Sequence, residues 1–99
     1  MKMRIEFDGA GRLPLEAFGI QVTGVRGSEG DEHVDWTAML QDFSANGDAI
    51  HGTIDAPGDF QFADKWKIQV FLKQGDGRYH PEPAEEWYTD AVRFGGVGG

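Results

Sequence analysis

The chain contains no cysteine, which removes disulfide scaffolds, thiolate metal sites and cysteine nucleophiles together. It also lacks any long apolar run. No stretch approaches the roughly twenty apolar residues of a membrane-spanning helix. Met1-Lys2-Met3-Arg4 leads into charged alternation rather than the apolar segment of a signal peptide. These absences predict a soluble, cytoplasmic protein with no membrane contact. Basic residues are scarce, nine Lys and Arg against seventeen Asp and Glu, for a formal charge of −8. Such a surface disfavours direct binding to nucleic acid or anionic lipid and attracts a protein with a basic surface. Missing too are a Gly-x-Gly-x-x-Gly opening a helix, a phosphate loop with lysine and a Gly-x-Ser-x-Gly elbow. No cofactor and no catalytic residue is therefore expected, and the chain is read as a non-enzyme.

What is present favours β structure. Ninety-nine residues make one domain with room for a two-layer core. Fifteen glycines point to many turns rather than long helices. The expected domain runs over 1–94, followed by Gly95-Gly96-Val97-Gly98-Gly99 as a flexible tail. Met1, Met3, Ile5 and Phe7 alternate with Lys2, Arg4, Glu6 and Asp8, a strand with one buried face. Phe18, Ile20 and Val22 form a second, and the slip of apolar parity to Val25 past Gly24 predicts a β-bulge. The clearest strand is Lys65–Lys73, with Trp66, Ile68, Val70 and Leu72 on one parity and Lys65, Lys67, Gln69 and Lys73 on the other. Only Phe71 breaks its alternation, and it is read as the central strand. Phe60 and Phe62 share a parity ahead of it, Arg78-Tyr79-His80 is a short return, and Trp87–Phe94 reads as the last strand.

Residues 34–44 fit two templates. Val34, Trp36, Ala38 and Leu40 alternate as a strand, whereas Trp36, Met39, Leu40 and Phe43 stand at helical spacing with Asp35 as a potential N-cap. Asn46-Gly47 decides for a strand, because it is a strong hairpin signal and Ala49–Ile54 can pair back across it. Six to seven strands joined by Gly, Pro, Asn and Asp turns predict an all-β, two-sheet sandwich. With a tryptophan in mid-chain and short turn-bounded strands, the pattern resembles the immunoglobulin-like architecture, although the cysteine pair of antibody domains is absent. The resemblance implies a fold and no activity. The alternative, with a helix at 36–44, is a β-grasp. Its order of elements and the terminal Gly98-Gly99 resemble ubiquitin-like modifiers and sulfur carriers, which would imply activation at the Gly99 carboxylate.

Three histidines, His33, His51 and His80, have no short ligand spacing, so no metal site is expected. The acids are grouped instead. Glu29, Asp31, Glu32 and Asp35 lie in one stretch, and Glu82, Glu85, Glu86 and Asp90 in another. If both fall at one end of the sandwich they make a negative patch that steers a basic partner, the sharper form being an inhibitor that mimics an acidic ligand. Calcium ligation by the same carboxylates is the competing use, without EF-hand spacing. Tyr79, Trp87 and Tyr88 flank the proline-bearing acidic stretch and are residue types that carry energy at recognition surfaces. The expected partner-binding set is therefore Tyr79, Glu82, Glu85, Glu86, Trp87, Tyr88, Glu29, Asp31, Glu32 and Asp35.

Overall fold

The computed structural model describes residues 2–27, 30–56 and 63–96. The first alternating run becomes β1 (Lys2–Asp8), with Ile5 and Phe7 buried and Arg4 and Asp8 exposed. There follow a 3-10 turn (Ala10–Arg12), β2 (Phe18–Arg26), β3 (His33–Met39), β4 (Gln41–Asn46), β5 (Ala49–Asp55), β6 (Lys65–Leu72), β7 (Glu85–Thr89) and β8 (Arg93–Gly96). They form two antiparallel sheets, the first ordered β4-β5-β1-β8 and the second β3-β2-β6-β7. This is the expected all-β two-sheet sandwich. An antibody constant-type sandwich sets four strands over three; here four lie over four, and the final strand flanks the first. No helix among the described residues is long and apolar enough to cross a membrane.

The core is the inner parity of the middle strands. Ile5 and Phe7 of β1 and Ile50 and Ile54 of β5 face Ile20 and Val22 of β2 and Trp66, Ile68 and Val70 of β6. Aromatic contacts join the layers: Trp66 lies 5.2 Å from Phe94 of the opposite sheet, and Phe18 lies 5.4 Å from Phe43. Within its own sheet Trp66 meets Trp36 edge-on at 5.3 Å. As expected, β6 is an inner strand, between β2 and β7. The bulge read from the parity slip is also present, as a register shift between Gly24 and Val25 in the β2–β3 ladder.

Two segments read as single strands are each two strands in different sheets. Over 34–44 there is neither a helix nor one strand. Trp36 and Ala38 serve the second sheet, and Leu40, buried at the corner, donates its N–H to the Ile20 carbonyl at 2.8 Å. The chain then enters the first sheet, with Asp42 at φ 50° and a shifted β4–β5 register between Gln41 and Ser44. The helical spacing arose because inner positions of two sheets were read along one axis. Met39, on the supposed helical face, is exposed. The β-grasp alternative with a helix at 36–44 is thus corrected. Gly52 makes the crossing fit, since a Cβ there would stand 2.9 Å from the Gln41 carbonyl and 2.9 Å from Leu40.

The second such segment is Trp87–Phe94. Ala91 N–H donates to Thr89 Oγ1 at 3.1 Å, and the chain leaves β7 for β8 on the other sheet. Trp87 is half-buried and Tyr88 exposed, which sets the register of β7. β8 also runs further than expected, Gly95 pairing with Arg4 and Gly96 with Met3. Glycine still supplies a backbone donor and acceptor, so those two residues belong to the sheet rather than to a tail. The expected hairpin forms with its turn one residue later than Asn46-Gly47: Asn46 pairs with Ala49, and Gly47, at φ 65°, takes the first central position, where a type II′ turn takes glycine. Phe60, Phe62, Glu29 and Gly98-Gly99 lie outside the described residues.

Gly52→Ala places a methyl group against a backbone carbonyl and should lower stability by about 1–3 kcal/mol. Urea unfolding checks this; an unchanged midpoint would mean that the β3–β4 corner is not packed over Gly52.

Candidate binding surface around β7

The register decides how the acids are distributed. Val25 pairs with Lys65 and Phe18 with Leu72, so Asp31 and Glu32, which follow β2, and the 73–84 connection sit at opposite ends of β6. At about 3.3 Å per residue those ends are roughly 23 Å apart. The second acidic stretch therefore runs along the sheet between those ends, and only its Asp90 reaches the Lys65 end. Asp31 and Glu32 lie at one end and Glu82 at the other, while Glu85 and Glu86 pair with Val70 and Gln69 along the strand. Asp35 lies in β3, on the far side of the sheet from β7.

Glu32 is nevertheless drawn into the surface at its own end. Its carboxylate holds Lys65 Nζ at 2.9 Å, and that ammonium stands 4.9 Å from the centre of the Tyr88 ring. The outward alternation of β6 is what brings Lys65 and Lys67 beside Tyr88, which pairs directly with Lys67. Tyr88 is 51% exposed. Two residue pairs along, Gln69 Nε2 donates to Glu86 Oε2 at 2.8 Å, and Gln21 Nε2 donates to Gln69 Oε1 at 3.3 Å. This chain fixes Glu86 on the outer face of the sheet. Asp64 accepts the Gly27 N–H at 2.8 Å and donates its own N–H to the Val25 carbonyl, which ties the end of β2 to the start of β6.

Trp87 and Tyr79 have other roles. Trp87 points inward beneath the 3-10 turn: a Cβ on Gly9, at φ 131°, would come within 2.6 Å of its ring, and Arg12 stands 5.0 Å from the ring centre. Tyr79 folds back over β2, where a Cβ on Gly19 would lie 2.7 Å from its ring. Lys73 Nζ is 5.7 Å from that ring, and Lys73 and Tyr79 form an isolated bridge. Phe71 pairs with Gly19 and is half-buried, so the outer face is covered at this end and open at the Tyr88 end.

A wider concavity lies elsewhere, about 660 Å³ on the outer face of the first sheet between Arg4, Asp42, His51 and Arg93. Its groups largely satisfy one another. Arg93 Nε donates to Glu6 Oε1 at 2.7 Å and its other end approaches Asp8 at 3.6 Å. The Glu6 bond, with the nearby carboxylates, holds the guanidinium above its ordinary pKa. His51 Nε2 and Ser44 Oγ are 3.0 Å apart, yet no carboxylate pairs with His51 among the described residues, which leaves a two-member contact on an exposed sheet. Nor do any three His, Asp or Glu side chains converge as metal ligands among those residues. Around β7, by contrast, an exposed aromatic, acids and an open strand edge coincide.

No family model, curated protein or solved structure matches the chain.

Sequence reasoning missed four contributors to this surface: Asp8, Arg12, Asp48 and Asp64. Asp64 sits one residue before the strand that was read most clearly, and Asp48 sits in the hairpin that was recognised, but both reach β7 only through pairing of the sheets. Substitution should separate surface from support. Tyr88→Ala should change unfolding free energy by no more than about 0.5 kcal/mol. Trp87→Ala should cost about 2–3 kcal/mol by emptying the site beneath the 3-10 turn. Denaturant unfolding of both variants is the check, and equal losses would contradict the inward assignment of Trp87.

Proposed function

We propose that this chain is a protein-binding module without catalytic chemistry, and that its partner presents a basic surface to β7. The observation that carries the reading is Tyr88: half exposed, steadied by Lys65 over its ring, and flanked by Glu85, Glu86, Asp64 and Asp90. An amphipathic ring loses little side-chain entropy on binding and contributes large contact area. The acids around it supply long-range attraction and select against acidic partners. The formal charge of −8 acts in the same direction.

The narrower expectation, an inhibitor that mimics an acidic ligand with two converging loops, is not favoured, because Glu82 lies at the far end of β6 from Asp31 and Glu32, and Glu85 and Glu86 belong to strand β7 rather than to a loop. Nothing in the described residues favours a modifier acting through Gly99. The proposed surface is instead a strip along one strand, with Tyr88 near its centre.

Selection of random displayed peptides against the full chain tests this reading. Recovered sequences should be rich in Lys and Arg, bind more weakly as salt rises, and lose most affinity to Tyr88→Ala. An attraction of this kind should fall substantially as the screening length shrinks from about 10 Å at 0.1 M salt to about 3 Å at 1 M. Recovery of neutral or acidic peptides, or binding indifferent to Tyr88→Ala, would overturn it.

A further inference from the structure

Strand β7 ends the second sheet, with β6 on one side and no strand on the other among the described residues. Its outward backbone N–H and C=O groups therefore have no ladder partner, the arrangement that admits an added strand. The edge is not flat. Two clefts adjoin it, one towards the 3-10 turn that covers the inward Trp87 and one towards the outward Lys65 at the start of β6, and both are lined by Tyr88 and Thr89. The first, about 350 Å³, opens between β7 and the 3-10 turn and is lined by Asp8, Asp48 and Arg12. The second, about 480 Å³, lies on the Lys65 side and is lined by Asp64, Asp90 and Lys65.

We propose that β7 accepts an extended segment of a partner protein as an additional strand, with two consecutive basic residues of that segment entering the two clefts. The inference rests on the protein-binding reading above and specifies its mode. Successive side chains of a strand point to opposite faces, so adjacent residues reach one cleft each, while residues two apart would compete for the same cleft. Each cleft holds two aspartates against a single cation, a formal charge of −1 on each side. Both resident cations are already engaged: Arg12 lies over Trp87, and Lys65 is held by Glu32 over Tyr88. Asp8 shares Arg93 at 3.6 Å, and Asp64 accepts the Gly27 N–H, so Asp48 and Asp90 are the acids most available to an incoming cation. A second copy of this chain is the disfavoured occupant, since edge-to-edge pairing of two β7 strands would set Glu85 and Glu86 of one against the acids of the other.

The test uses the full chain and a capped peptide of about nine residues, long enough to pair with all of β7. It carries a central Lys-Arg pair among threonine and valine. Two companions are needed: the same peptide N-methylated at alternate backbone amides, and one with Lys and Arg separated by a threonine. The parent peptide should bind and should slow hydrogen exchange at amides of β7. Methylation should weaken binding about tenfold by removing backbone hydrogen bonds without changing charge. Separating the basic residues, and Asp48→Asn or Asp90→Asn in the protein, should each weaken it about threefold, the size of one exposed ion pair. Equal binding of the methylated peptide would overturn strand addition and leave the acidic-surface reading standing. Equal binding of the separated peptide, or indifference to both aspartate variants, would overturn the two-cleft assignment. No binding by any of the peptides would also overturn strand addition, and the peptide selection then decides separately whether the surface takes basic chains.

Discussion

The packing of Trp66 is the contact on which the rest of this sandwich depends. Its indole meets Trp36 within one sheet and Phe94 across the interior, at 5.3 and 5.2 Å. Room for it comes from Gly24 on the neighbouring strand, where a Cβ would stand 3.2 Å from the Trp66 ring and 3.1 Å from Trp36 Nε1. Aromatic pairs of this kind are each worth about 0.5–1.5 kcal/mol beyond the area they bury. One consequence reaches the surface. Phe94 can dock on Trp66 only from the opposite sheet, so the chain leaves β7 and crosses. β7 is thereby left at the edge of its sheet, with no strand paired outside it among the described residues.

The charges on the outer face of the second sheet follow from the same geometry. Alternation along β6 turns Lys65 and Lys67 outward, and pairing with β7 sets them beside Tyr88. Exposed ion pairs contribute roughly 0–1 kcal/mol, so the Glu32–Lys65 contact matters less for folding than for holding the Tyr88 ring in one position. The glutamates of β7 likewise add little to stability. Their charge disfavours pairing of this edge with a second copy. Trp87 faces in beneath the 3-10 turn, where it supports the core, and Tyr88 faces out on the surface proposed for recognition.

Much of the sandwich was legible in local pattern. β1, β5 and β6 each bury one parity and leave the other half-buried or exposed, β2 is buried on both faces from Val22 to Val25, and both the Gly24 bulge and the Asn46–Ala49 hairpin left short-range marks. Residues 34–44 and 87–94 misled for a shared reason. At Leu40 and at Asp90–Val92 the chain passes from one sheet to the other, and a parity count along a single strand has no means of registering a change of layer. Of the proposed surface, Glu85, Glu86 and Tyr88 could be named from the sequence because they are close neighbours in one stretch. Asp8, Asp48 and Asp64 could not, because they come from three separate elements.

By itself, then, the amino-acid order determined the class of fold, the inner strand at Lys65–Leu72, the turns and the acidic balance, since each depends on period-two alternation, turn chemistry or composition. Only the tertiary structure decided which strands share a sheet, that the second acidic stretch runs along β7 from one end of the sheet to the other, and that β7 is an edge flanked by clefts. Those features depend on register and on the crossings between layers, which are set by which aromatic rings meet across the core rather than by any neighbour in the chain.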